Sequence, residues 1–287
     1  METWCSRKLM LTSKWLGKVY RRSSSHKGDN GRILIVGGSD DYVGCLALAG
    51  SAAFASGADL VTIAAPEKVA WAINKLNPDF ITIKLSGSFL KSSHFERIKS
   101  LSVKADVLLF GNGAGTRKPT AVLFHKLAKL QVRKVIDADA LKVIKLKGLH
   151  NAILTPHSRE LEIFMTNNGL KPGNNPKSNA HLLQASGLLG DNVLLLKGKT
   201  DVIILGDKLM ENKTGNSGMT KAGTGDVLAG IAAAFSCQEP LFRAACRAAY
   251  VNGSAGDLLL KGSGYGFTAS NLVDALPSAM RQFWRAR

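Results

Sequence analysis

The chain has 287 residues, 45% of them hydrophobic, enough to bury a full core in one large α/β domain or two small ones. No run approaches the roughly 18 consecutive apolar residues of a membrane span. The start, from Met1 to Tyr20, is broken by Arg7, Lys8, Lys14 and Lys18 and has no secretory apolar core. A net charge of +17 permits contact with polyanions. The basic residues are dispersed, however, and no basic tract carries interleaved aromatics, so a nucleic-acid-binding protein without catalysis is disfavoured. A lysine-rich solvated surface with attraction for small phosphorylated ligands is the reading kept. Cys5, Cys45, Cys237 and Cys246 have neither metal-like nor paired spacing, which suits a reduced, cytoplasmic setting.

In chain order, short β-branched runs alternate with longer amphipathic ones. A strand is predicted over 32–36, closed by Gly37-Gly38-Ser39, then an alanine-rich helix over 43–56 and a strand over 60–64. A helix over 66–76 follows, with Pro66 at its first position, then a strand over 80–85. The run 106–110 reads as a strand, with the glycine loop Gly111-Asn112-Gly113-Ala114-Gly115 and a helix over 119–130 after it. Strands are predicted over 134–137 and 152–155, and Pro156-His157 turns into a helix over 160–165. The stretch 167–177 is the loosest and reads as a surface loop. A strand over 192–196 precedes an antiparallel hairpin of 202–205 and 208–211, and helices over 226–235, 241–260 and 269–276 finish the chain. Strand–loop–helix repetition of this kind predicts an α/β fold with a mostly parallel central sheet and helices on both faces. Ligands in such sheets bind beyond the C-terminal ends of the strands, where the glycine loops fall.

The most informative stretch is 212–230. A glycine-dense loop from Asn212 to Gly218 leads through Gly223-Thr224-Gly225 into an apolar helix whose first turn carries Asp226. Unshielded backbone N–H groups at a helix start make an anion site. A carboxylate there repels phosphate, which implies a second task, such as taking a proton from a hydroxyl. Two familiar nucleotide motifs are near misses. The glycines from Gly111 to Gly115 are followed by Thr116 where the dinucleotide fingerprint needs glycine, and Gly198-Lys199-Thr200 lacks the upstream glycine of a P-loop, having Val193 there. Lys197-Gly198-Lys199-Thr200-Asp201 reads equally as a hairpin connection or as a nucleotide-edge loop. Asp137 and Asp139 hold Mg²⁺ or a ligand hydroxyl, or start the next helix, and the helix start is preferred. His157 alone reads as a turn histidine.

Taken together, these segments resemble the ADP/ATP-dependent NAD(P)H-hydrate dehydratases of the ribokinase-like fold. The resemblance covers about residues 24 to 280. It runs in order through His26-Lys27-Gly28 with Gly31, Gly37-Gly38-Ser39, Gly57-Ala58-Asp59-Leu60-Val61-Thr62 and Gly111 to Gly115. It continues through Asp137-Ala138-Asp139-Ala140-Leu141, Thr155-Pro156-His157 with Glu160, Lys197-Gly198, Asn212 to Gly218, and Gly223-Thr224-Gly225-Asp226. Any one piece is weak, whereas all of them in order are specific. Departures are Cys45 where the family has Ala, Asn112 where it has Pro, and Lys221-Ala222 before Gly-Thr-Gly-Asp. The resemblance implies a single dehydratase domain over 1–287, including a basic segment 1–23, and no epimerase domain.

It also implies phosphorylation of the ring hydroxyl of NADHX or NADPHX from ADP or ATP, with ADP favoured, followed by loss of phosphate. Asp226 would be the catalytic base. Cys45, Gly113, His157 and Asp226 would line the hydrated cofactor. Lys197, Gly198, Lys199, Thr200, Asp201, Asn216, Gly223, Thr224 and Gly225 would hold the nucleotide, with Mg²⁺ on the phosphates, in a homo-oligomer, a tetramer by resemblance. Lys199 and Lys221 are expected beside the phosphate loop. The alternative is a kinase of a small alcohol such as hydroxyethylthiazole, which would leave a stable phosphorylated product.

Overall fold

The computed structural model describes residues 9–286; Met1 to Lys8, with the Cys5 thiol, lie outside the described residues, as does Arg287. The strands are β1 (Leu9–Met10), β2 (Val19–Arg21), β3 (Arg32–Val36), β4 (Leu60–Pro66), β5 (Ile81–Leu85), β6 (Val107–Phe110), β7 (Arg133–Ile136), β8 (Ala152–Leu154), β9 (Val193–Leu196), β10 (Asp201–Leu205), β11 (Lys208–Asn212) and β12 (Trp284–Ala286). The helices are α1 (Ser13–Leu16), α2 (Gly44–Ala55), α3 (Glu67–Leu76), α4 (Phe95–Ser102), α5 (Lys118–Leu127), α6 (Ser158–Asn167), α7 (Pro176–Ala185), α8 (Thr224–Ser236), α9 (Leu241–Ser263) and α10 (Ala269–Met280).

Ten strands form one sheet in the order β1-β11-β10-β9-β8-β7-β6-β3-β4-β5. Every pairing is parallel except those of β10, which runs antiparallel to β9 and β11. The hairpin expected near the C-terminal third is therefore present. A separate parallel pair, β2 with β12, ties the N-terminal region to the C-terminal one.

The central strands are apolar at successive positions because both sheet faces are covered. Ile33 and Ile35 of β3 join the core shared with α2, α8, α9 and α10, while Leu34 and Val36 join the core shared with α4, α5, α6 and α7. From β3 the chain builds outward through β4 and β5, then returns to place β6 on the other side of β3. The strand order thus reverses between β3 and β6. At that switch point the two following loops touch, with the Gly38 N–H donating to the Asn112 carbonyl at 2.8 Å. A crevice at such a point is the ligand position of open α/β sheets.

Helices α2 and α8 pack closely because their contact residues are small. A Cβ on Gly230 would lie 2.1 Å from the Ala49 carbonyl oxygen. This contact lays the start of α8 beside the start of α2, which brings position 226 near position 45.

Some expected elements differ. Pro66 caps α3 and ends β4 and is not the first helical residue. Helix α5 stops at Leu127, short of position 130. Helix α7 occupies part of what reads as loop: Asn175 caps it by accepting from the N–H groups of Lys177 and Ser178, and Pro176 opens it, an arrangement that proline's fixed φ favours. Helix α4 buries only Ile98 and Ser102, too few for an apolar period to register. The two-residue β1 is exposed and has no pattern.

Gly230→Ala is expected to lower stability by about 1–3 kcal/mol, the usual cost of overpacking, with the α2–α8 junction displaced. Urea unfolding measures this; a midpoint unchanged from the parent would contradict the packing.

Candidate active site

The site lies at the C-terminal ends of β6, β7, β8 and β9, under the start of α8. Each strand delivers one polar group as it ends: Asn112 after β6, Asp137 after β7, Thr155 after β8 and Lys197 after β9. Gly223, in the left-handed region at φ 92°, turns the chain into α8, and Asp226 falls in that helix's first turn.

These groups form one connected network. Lys197 Nζ lies 2.9 Å from Asp137 Oδ1 and 3.8 Å from Glu160 Oε2. The Thr155 hydroxyl donates to Asp137 Oδ1 at 2.7 Å. Asn112 Nδ2 donates to Asp137 Oδ2 at 2.9 Å and to Asp226 Oδ1 at 2.6 Å. Asp137 is only 2% exposed, so its charge needs these partners. A Cβ added to Gly225 would lie 3.4 Å from Lys197 Nζ, which sets the ammonium directly beside the α8 N-terminus.

His157 caps α6. Its N–H donates to Glu160 Oε2 at 3.0 Å while its Nδ1 accepts from the Glu160 N–H at 3.4 Å, a reciprocal capping box. The imidazole is half exposed, and the backbone of His157 pairs with that of Lys197 in a parallel bridge. Cys45, in the first turn of α2, faces the 111–115 loop: a Cβ on Gly113 would come 2.5 Å from Cys45 Sγ.

Electrostatics mark Asp226. Burial, then the Asp137 charge, push its carboxyl up from 3.8 to about 6, against the pull of the Asn112 hydrogen bond and Lys197; Glu160 adds to the rise. Asp201 is likewise pushed up to about 6, chiefly by burial. Burial and then Asp226 hold the Cys45 thiol well above its ordinary range. Burial works against the Lys197 ammonium, but Asp137 and Glu160 outweigh it and hold its pKa above the usual lysine value.

The structure thus brings Asp226, Cys45, Gly113, His157, Lys197 and Gly225 into one site. It separates others. Asp201 accepts from the Gly198 N–H and the Asn212 side chain, each at 3.0 Å; its carboxylate closes the turn that holds exposed Lys199 and half-buried Thr200. Asn216 caps the short turn Ser217–Thr220 and donates to Asp257 of α9 at 3.0 Å. Lys221 does not face the phosphate loop: its ammonium donates to the Tyr265 and Phe267 carbonyls and lies over the Phe267 ring. Asp137 does stand at the start of a short 3-10 turn, Ala138–Ala140, with Asp139 in its first turn, as the preferred reading has it; the side chain of Asp137, however, makes no capping bond, because its carboxylate is turned into the network. Asp139 accepts from the Gly115 N–H and pairs with Lys142. Asn112 and Glu160 carry no expected site role, though the His-x-x-Glu spacing signals the capping box.

The doubly wound sheet, its switch-point crevice and the acid at a glycine-led helix start define a ribokinase-like α/β protein. The model of the NAD(P)H-hydrate dehydratase family matches residues 33–278, and the chain belongs to that family. It is 42% identical over 270 residues to the bifunctional NAD(P)H-hydrate repair enzyme Nnr of Methanocaldococcus jannaschii, covering 92% of this chain and 50% of that protein. The chain therefore spans about half the length of several curated relatives it matches. It is 35% identical to the ADP-dependent (S)-NAD(P)H-hydrate dehydratase of Cenarchaeum symbiosum, covering 92% of this chain and 93% of that one. Among solved structures it is similar to the ADP/ATP-dependent NAD(P)H-hydrate dehydratase from Bacillus subtilis co-crystallised with ATP and Mg²⁺, with TM-score 0.81, 26% identity, and 96% and 99% of the two chains covered.

The raised pKa of Asp226 sets a stability prediction. A carboxyl that holds its proton more tightly when folded contributes stability fully present below its unfolded value of 3.8 and lost as pH rises through about 6. Asp226→Asn removes the ionised group, so this variant is expected to melt above the parent at pH 8 and to converge with it toward pH 4. A variant melting at or below the parent at pH 8 contradicts the raised pKa of this half-buried carboxyl.

Proposed function

We propose that the chain is a nucleotide-dependent dehydratase of hydrated nicotinamide cofactors, restoring NADH or NADPH from NADHX or NADPHX, with ADP the favoured donor. The observation that carries this reading is the Asp226 carboxyl in the first turn of α8. One of its oxygens accepts from Asn112 in the loop after β6, beside the switch point, and the other accepts no hydrogen bond among the described residues.

Hydroxide is a poor leaving group and phosphate a good one. Asp226 takes the proton of the ring hydroxyl as its oxygen attacks the terminal phosphorus of the nucleotide. The bond from that phosphorus to the nucleotide's bridging oxygen breaks, releasing the shortened nucleotide. The ring C–O bond then breaks, inorganic phosphate leaves and the adjacent ring carbon loses a proton, which restores the ring double bond. The N–H groups of Gly223, Thr224 and Gly225, with the positive end of the α8 dipole, hold the transferring group. Lys197 beside them offsets its charge.

Cys45, Gly113 and His157 line the hydrated ring's side. Lys197 to Asp201 and Asn216 serve the nucleotide's side, Asp201 and Asn216 by shaping their turns. Among the described residues no group of three His, Cys, Asp or Glu side chains is arranged to hold a metal ion. Asp137 and Asp139 are engaged by Lys197 and Lys142, so the side chains do not build a metal cage. Mg²⁺ would instead arrive with the nucleotide and would offset its phosphate charge. No helix among the described residues is long and apolar enough to cross a membrane, and the reading extends to a cytoplasmic homo-oligomer that does not bind nucleic acid.

The test is recovery of reduced-nicotinamide absorbance from hydrated NADH and NADPH with ADP or ATP. Asp226→Asn is expected to lose at least ~10²-fold in turnover while staying folded. In the parent, kcat/KM is expected to fall as pH drops below about 6, as the base takes up its proton. Near-parental turnover in folded Asp226→Asn removes Asp226 as the base. Gly225→Val is expected to weaken ADP binding by crowding the helix start and Lys197; unchanged affinity by calorimetry contradicts the phosphate position.

A further inference from the structure

Asn112 is fully buried in the glycine loop after β6, and its amide reaches two carboxylates that have no other bridge between them. The amide's orientation is fixed by chemistry. Only the –NH₂ end can face both Asp137 and Asp226, because the carbonyl end would set a third acceptor against them. Its two N–H bonds are both spent, one on each acid, and its Oδ1 is buried without a partner. Leaving that acceptor unsatisfied is costly, which argues that the position is held for what the amide donates. A proline here, which the resemblance leads one to expect, has no side-chain donor.

We propose that Asn112 is a positioning residue for Asp226: its amide clamps one carboxylate oxygen, turns the other toward the substrate hydroxyl, and lets Asp226 and Asp137 stay ionised side by side. The inference rests on the reading of Asp226 as the base.

The groups acting on Asp226 come from several elements. Asp137 lies at the end of β7, Lys197 at the end of β9, Glu160 on α6, Cys45 on α2, and Asn112 on the loop after β6, while Asp139 acts on Cys45. Lys197 is the cation among them, and it is bound to Asp137 and Glu160. Asn112 is the neutral donor that contacts Asp226 directly. Without it, Asp226 keeps its burial and its repulsion by Asp137 and loses its hydrogen bond. Its proton is then held to higher pH.

The test uses the full chain with ¹³C-labelled aspartate. The Asp226 carboxyl signal, assigned by its absence in Asp226→Asn, is titrated in the parent and in Asn112→Ala. The geometry predicts that the titration midpoint rises by about one pH unit on losing a charge-assisted hydrogen bond. It also predicts that kcat falls about tenfold or more, that KM for the hydrated cofactor stays within about threefold, and that the acid limb of the rate profile moves up with the midpoint. Asn112→Leu, close in size and without a donor, serves if the alanine variant does not fold, and the same shift is expected. A midpoint unmoved in a folded variant overturns the clamp, as does a kcat loss with an unshifted acid limb, which marks a merely structural residue. The titration reads the proton without turnover. An inactive parent with a shifted midpoint would therefore sink the dehydratase reading and leave the clamp standing.

Discussion

Two carboxylates, buried Asp137 and half-buried Asp226, share one site, and the surrounding structure depends on keeping them together. Like charges this close repel in a poorly solvated pocket. The protein answers with one ammonium, one hydroxyl and one amide. Lys197 and Thr155 serve Asp137, and Asn112 spans both acids. Asp137 is thereby the fully satisfied member, whereas Asp226 retains a free oxygen and a raised pKa. An inert acid beside a poised one is the pattern expected where environments separate the roles of paired titratable groups.

The fold supplies each partner from a different strand end, which is why a sheet switch point is needed. Parallel strands β6 to β9 present their C-terminal ends side by side, so residues far apart in sequence converge without long loops. The acid itself arrives from the other direction, on α8. Its height over the sheet is set by the small-residue contact between Gly230 and Ala49, and the left-handed Gly223 gives the chain its turn into the helix. The surplus positive charge lies elsewhere. Three carboxylates face one lysine at the centre, and Lys221 is occupied by backbone carbonyls, so a general positive mouth is not what the centre offers.

Much of the fold is legible in the sequence because its signals are local. Ile33 to Val36, Val107 to Phe110 and Val193 to Leu196 are short apolar runs bounded by turn residues, and a strand buried on both faces reads that way. Asp226 is legible because a glycine-dense loop, a helix start and an acid coincide there. What stays hidden depends on partners distant in sequence. Asp137 reads as a helix start and does precede the turn Ala138–Ala140; that its carboxylate serves the site and not the cap shows only with the approach of Lys197, sixty positions on. Asn112 looks like a substitution in a glycine loop, and its use appears only when α8 brings Asp226 within reach. Lys221 looks like a phosphate contact because its carbonyl partners, Tyr265 and Phe267, belong to a segment after α9. Helix α7 is the exception: its Asn175-Pro176 start is a local signal, masked by the glycines and prolines around it.

The central claim is that the ring hydroxyl becomes a phosphate ester before it leaves. Its oxygen must then depart with phosphorus and not as water. Labelling the hydroxyl of the hydrated cofactor with ¹⁸O and following the label during nucleotide-driven recovery of the reduced cofactor tests this directly. The account predicts that the label appears in the released inorganic phosphate, one atom per turnover. Label recovered in bulk water, with phosphate unlabelled, would contradict it.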